Sequence, residues 1–280
     1  MTNGTCLCGQ VTWTLTAQPF TGYNCYCAMC RKLHGTAFST FWRLGADDLH
    51  WTGGTDAIVH YQSSHLTRGF CGHCGSSVPL MSKNHLGWAV PAGSHATGRR
   101  PDCDIFTAHT APWFTLTGTL PRHDDYPPDT GYPALPDKPL PPQPDGIIRG
   151  GCLCGAVHFH VTEPFKMARY CHCSRCRRAR SAAHASNGFT SIDGVTFTRG
   201  EDQVKAYDLP DAKVFGQAFC QTCSSPMPRR IAETGSAVVP LGSLDDDPGI
   251  RPACHIYAGD KAGWHEITDE LPAYAEGPLR

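Results

Sequence analysis

Val11, Trp13 and Leu15 alternate with polar residues in the stretch QVTWTLT, and Val157, Phe159 and Val161 do the same in AVHFHVT. A period of two predicts half-buried β-strands at both places. Short apolar runs such as AVVPLGS and CDIFTAH are bounded by Gly, Pro or Asp and read as further strands. Glycine (29) and proline (23) are spread along the chain and break long helices. One short helical turn is expected after each of two cysteine clusters. The expected fold class is mainly β: two small, metal-pinned, β-sandwich-like domains in tandem.

The tandem arrangement comes from self-similarity. Cys6, Cys8, Cys25, Cys27 and Cys30 reappear 146 positions later as Cys152, Cys154, Cys171, Cys173 and Cys176. Trp51 returns as Phe197, Gly54 as Gly200 and Tyr61 as Tyr207. The offset then becomes 149 for Phe70, Cys71 and Cys74, matching Phe219, Cys220 and Cys223. It becomes 151 for Pro101, Cys103, Ile105 and Trp113, matching Pro252, Cys254, Ile256 and Trp264. Insertions of three and two residues, at expected loops, account for both changes. The expected organisation is a first domain over 1–125, a proline-rich linker over 126–146 and a second domain over 147–280. The linker, YPPDTGYPALPDKPLPPQPDG, favours extended polyproline conformation and acts as a semi-rigid spacer.

Composition narrows the class. Over 280 residues the chain is 40% hydrophobic and 18% charged, with a formal net charge of −1. That balance describes a soluble globular protein with no global basic field for nucleic acid. No apolar run approaches the ~18 residues of a membrane span, and the N-terminus MTNGTCLCGQ lacks the basic and apolar regions of a signal peptide. A cytoplasmic setting is expected, with neither membrane nor nucleic acid as partner. The oligomeric state stays open.

Sixteen cysteines are the outlier, eight per copy. An even count allows disulfides, but reduced cytosolic thiols and metal-like spacing favour metal. A C-x-C and a distant C-x-x-C make a four-thiolate tetrahedral zinc site: Cys6, Cys8, Cys71 and Cys74 in the first copy, Cys152, Cys154, Cys220 and Cys223 in the second. Cys25, Cys27 and Cys30, and Cys171, Cys173 and Cys176, offer only three ligands each. Three protein ligands with one open position is the catalytic zinc pattern. Cations follow each triple: Arg31 and Lys32, then Arg177, Arg178 and Arg180. They offset an anionic site, grip a substrate carboxylate, or are solvated charge. Cys103 and Cys254 are read as buried near the triples, with a fourth-ligand role as the alternative.

The motifs GTCLCGQVTW and GGCLCGAVHF, the two C-x-C-x-x-C-R clusters, FCGHCGSS and RPACHIYAGDKAGWHEITDELPAYAEGP resemble the glutathione-dependent formaldehyde-activating enzyme family, to which the domain of centromere protein V is similar. The resemblance covers both copies and spares the linker. It implies a small β-fold with two zinc sites per domain, the four-cysteine sets structural and the triples catalytic. It implies glutathione as cosubstrate, bound near the triples, where Arg31, Lys32, Arg177 and Arg178 are the candidate contacts. The implied activity is that of a carbon–sulfur lyase, joining or releasing a thiol and a small aldehyde of the formaldehyde class. Departures are Tyr26 where copy two has His172, Ser181 and Ser224 where copy one has Gly35 and Gly75, and Thr110 opposite Lys261. A non-catalytic zinc-stabilised binding module, or a thiol-based redox or metal sensor, are the alternatives.

Overall fold

The computed structural model describes residues 1–63, 66–82, 87–130 and 142–277. Most of the proline-rich stretch lies outside the described residues. The predicted strands form where the alternation places them. Thr12–Leu15 lies between Thr2–Thr5 and Leu49–Gly53, and His158–Val161 lies between Ile148–Gly151 and Val195–Arg199, both in three-stranded antiparallel sheets. The inward residues Val11, Trp13, Leu15, Val157, Phe159 and Val161 are each at most 2% exposed.

The larger sheet of the first half runs in the order Arg122–His123, Cys103–Ile105, Thr21–Cys25, Ser39–Gly45, Gly87–Pro91, Leu80–Met81. Its counterpart runs Arg229–Ile231, Ser236–Pro240, Ala185–Ser191, Met167–Cys171, His255–Ile256. In both, the strand that carries the first cysteine of the triple pairs in parallel with the strand at Cys103–Ile105 or His255–Ile256. A third small sheet in each half (Ile58–Gln62, Thr67–Cys71, Ser77–Val78; Val204–Asp208, Gly216–Cys220, Pro226–Met227) carries the C-x-x-C turn.

Two helices of seven residues follow the triples, α1 (Ala28–His34) and α2 (Ser174–Arg180). Each starts on the middle cysteine: the Sγ of Cys27 or Cys173 accepts the backbone N–H of Cys30 or Cys176 at 3.4 Å. Each ends on a left-handed residue, Gly35 (φ 63°) or Ser181 (φ 49°). Ser181 adopts this unfavourable region while its Oγ donates to Ser77 O of the other half at 2.9 Å.

Among the described residues no strand pairs across the two halves; they meet by side chains, helix ends and a backbone hydrogen bond from Gly263 N to Ala96 O at 2.8 Å. α1 packs on the turn Leu241–Ser243 and α2 on the repeat-equivalent turn Ala92–Ser94. One apolar cluster runs through both halves and includes Trp13, Trp42, Phe159, Phe219 and Trp264. The indole N–H of Trp264 donates to His95 O of the first half at 3.1 Å. No described helix is long and apolar enough to cross a membrane.

Candidate metal centres

The fold gathers fourteen of the sixteen cysteines into four groups whose sulfurs lie within 4.8 Å of one another. Cys6, Cys8, Cys71 and Cys74 form one four-thiol group, and Cys152, Cys154, Cys220 and Cys223 the other. Sulfur–sulfur separations are 3.4 Å (Cys6–Cys8) and 3.7 Å (Cys8–Cys71), repeated as 3.4 and 3.7 Å in the second half. A tetrahedral zinc with bonds of about 2.3 Å would set its sulfurs about 3.8 Å apart. Backbone N–H groups also point at the sulfurs, Val11 N to Cys6 at 3.3 Å and Val157 N to Cys152 at 3.2 Å. Four thiols at this spacing, three buried and one half-buried in each group and fed by N–H donors, fit a thiolate metal site.

Cys25, Cys27 and Cys30 form the third group, and Cys171, Cys173 and Cys176 the fourth. Among the described residues no further Cys, His, Asp or Glu joins either. Cys103 and Cys254 are half-buried against these clusters without entering them. In each triple the middle sulfur collects the hydrogen bonds. Its two neighbours and a backbone N–H pull Cys173 down to about 3, and the same arrangement holds Cys27 well below the ordinary thiol range.

The two triples differ in access. Cys25, Cys27 and Cys30 are all buried, and Leu66, Tyr126 and Phe106 pack on them. The Tyr126 and Phe106 rings meet edge to face at 4.7 Å. In the second half Cys173 is half-exposed, and Tyr257, the counterpart of Phe106, is 38% exposed.

The cations expected to meet a substrate are distributed unequally. Lys32 Nζ lies 2.7 Å from Asp245 and 2.9 Å from Gly151 O, both in the other half. Arg177 donates to His95 O at 3.1 Å and Gly93 O at 3.4 Å, again across the halves. Arg178 bonds Ser174 O on its own helix at 3.2 Å, and Arg31 has a buried Nε with no hydrogen-bond partner. Two other arginines supply the buried charge. Arg180 is 8% exposed, has an unpartnered Nη1, and is pushed down to about 10 by burial, opposed by Cys176. Arg68 is 6% exposed, has an unpartnered Nε, and its charge adds to the lowering of Cys27 and opposes the rise of Cys30. Arg68 escaped the sequence reading because it lies on the strand Thr67–Cys71, far along the chain from its cluster. The repeat alignment holds the only signal: Arg68 faces Gln217 and His34 faces Arg180, so each half places its arginine on a different element.

A mainly β chain with paired four-thiol groups and paired three-thiol groups has four cysteine clusters that could each hold a metal ion. The family profile described as glutathione-dependent formaldehyde-activating enzyme matches residues 1–109 and again 147–260, and the chain belongs to that family. A Halomonas elongata protein, provisionally named as a glutathione-dependent formaldehyde-activating enzyme, is 25% identical over 130 residues, which is 43% of this chain and 81% of the relative. A crystal structure of a Rhodobacter sphaeroides protein aligns with 25% identity over 37% of this chain and 97% of its own, with a TM-score of 0.29.

Proposed function

We propose that the chain joins a thiol to a small aldehyde, glutathione and formaldehyde being the pair, at the three-thiol cluster of the second half. The family match supports the reaction class. The observation that carries the choice of site is Cys173, half-exposed in a triple that no fourth protein ligand completes among the described residues. Zinc held by Cys171, Cys173 and Cys176 would supply a Lewis acid and keep an incoming thiol ionised at neutral pH. The chain's own contribution is electrostatic and steric. Arg180 sets a buried positive charge beside the thiolates, and Arg178, half-exposed on the same helix, is a cation within the same segment that could meet a glutathione carboxylate. In the reaction the thiol sulfur forms a bond to the aldehyde carbon. The carbonyl π pair moves to oxygen, which takes the proton the thiol gave up. The product is a hydroxymethyl thioether, and the reverse path releases the aldehyde. The four-thiol groups act as structural zinc sites in this reading, and the enclosed triple of the first half holds an ion that takes no part in the reaction.

Exchange kinetics of the thiol–formaldehyde adduct test it, with a protein-free control for the spontaneous rate. Cys173→Ser is expected to fall to the protein-free rate while Cys27→Ser keeps most of the activity, both proteins being zinc-replete at the four-thiol groups. Wild type matching the protein-free rate for glutathione and other thiols would end the enzyme reading.

A further inference from the structure

Between the two halves lies a cavity of about 530 Å³, a size that encloses a small organic ligand. Asn24, Tyr26 and Tyr170 line it, while the alternate residues Cys25 and Cys171 of the same strand segments belong to the three-thiol clusters. The cavity therefore sits behind those clusters, and no cysteine lines it.

Its walls hold positions at which the two copies differ in chemistry. Tyr26, Phe38, Asp104 and Phe114 of the first half correspond to His172, His184, His255 and His265 of the second. One wall is thus aromatic and acidic, the other imidazole-rich. His255 has both ring nitrogens engaged: Nδ1 lies 2.8 Å from His172 Nε2, and Nε2 lies 2.9 Å from Asp269 Oδ1. It is locked in place and has no nitrogen left to act as a base. His172 is stacked behind His265 with ring centroids 5.5 Å apart. Among the described residues, no side-chain hydrogen bond engages the His265 ring, and His184 Nδ1 lies 3.4 Å from both Thr36 Oγ1 and Ser186 Oγ. Burial pushes His184 down to about 3 and His265 well below the ordinary imidazole range, so both rings are neutral at physiological pH.

Besides the imidazoles, the lining carries three carboxylates (Asp104, Glu266 and Asp269) and one guanidinium (Arg100). Arg100 pairs with Glu266 at 3.0 Å, both largely exposed. No other Lys or Arg lines the cavity; Asp269 meets His255 and accepts from Leu271 N at 3.0 Å, and burial pushes Asp104 up, opposed by the Asn24 hydrogen bond and by the charge of Arg122. Asp104 is 3% exposed and accepts from Asn24 Nδ2 at 2.9 Å. The lining histidine nitrogens and carboxylate oxygens do not form a set of three within 4.8 Å, so the wall is not a preformed metal site. What it offers is hydrogen-bond acceptors, negative charge and the rings of Tyr26, Phe38, Phe114, Tyr170 and Trp264. Aromatic faces and carboxylates together attract an organic cation, and the acceptor-rich wall suits one with several N–H donors.

We propose that this cavity binds a small primary amine in its ammonium form, with its body against the aromatic rings and its N–H groups directed to Asp104 and Asp269. The test is calorimetry on the full, zinc-replete chain with three matched probes: 2-phenylethylamine, 2-phenylethanol and 3-phenylpropionate. One saturable site per chain is expected for the amine, with affinity about tenfold or more above that for the alcohol, and no site for the carboxylate. Asp269→Asn should weaken the amine about tenfold. Because that change also removes a partner of His255, the site is mapped independently on wild type by the imidazole proton–carbon signals. Those of His184 and His265 should move on titration, and those of the exposed His50 and His60 should not. Equal binding of all three probes, no saturation by the amine, or shifts confined to His50 and His60 would each overturn the proposal.

Discussion

At position 93 a single methyl group has nowhere to go. A Cβ built on Gly93 would lie 2.0 Å from the backbone nitrogen of Ala182, and one on the equivalent Gly242 would lie 2.3 Å from that of Thr36. Both contacts are backbone against backbone, at the ends of α2 and α1, so neither side can swing away. Gly93→Ala and Gly242→Ala are each expected to cost about 1–3 kcal/mol or more by overpacking. Urea unfolding of the full chain measures this, and a wild-type midpoint for either would show that the contact between halves is loose. Residues of this kind were not legible in the sequence, because a tight approach depends on two surfaces far apart along the chain. The cysteines were legible because their partners sit two or three residues away, and the distant pairs recur in both copies. The cations mark the limit of local reading. Lys32 and Arg177 stand next to the triples in sequence yet serve the contact between halves, whereas Arg68 reaches its cluster from another strand.

The seven-residue helices depend on thiols at their first turn. Neither has an acidic residue there, and a sulfur does the capping. Serine is itself a good N-cap, so Cys27→Ser keeps an acceptor for Cys30 N–H while removing a metal ligand. Cys71 differs: it ends the strand Thr67–Cys71 and supplies a four-thiol group that ties this strand to the chain's first loop. Metal binding at such a site is folding free energy, so Cys71→Ser is expected to remove several kcal/mol, most of the stability of a typical domain. Cys27→Ser is expected to stay folded with a reduced metal count. Circular dichroism melts beside metal analysis separate the two, and equal collapse would make the first triple as structural as the four-thiol group. Alternation forecast the strands at Thr12–Leu15 and His158–Val161 because each has a face of its own to bury. Two-residue strands such as Ser77–Val78 follow their neighbour's register and carry no periodic signal of their own.

At the scale of the whole molecule, the period of the cysteines revealed two copies, but not that each copy closes the other's metal centre. Tyr207 of the second half stacks edge to face on His73 with centroids 5.0 Å apart, beside the first four-thiol group. Lys205 Nζ donates to Gly72 O at 2.7 Å, and the Gln217 amide donates to Cys74 O. Tyr61 lies in turn near Cys152, Cys154 and Cys223. The knuckle that would hold one ion is thus clamped by the half that would hold the other, and loss of either ion should loosen both halves. Full loading is expected to be four zinc ions per chain. Graded chelation should first empty Cys171, Cys173 and Cys176, which offer three ligands and a half-exposed sulfur, and then the enclosed triple around Cys27. The two four-thiol ions should leave last and together, in one cooperative unfolding transition followed by tryptophan fluorescence and elemental analysis. Two separate transitions, each releasing one tightly held ion, would mean that the halves are independent and that the contacts between them carry no stability. Fewer than two tightly held zinc ions in the folded chain would remove the metal from the fold's foundation altogether.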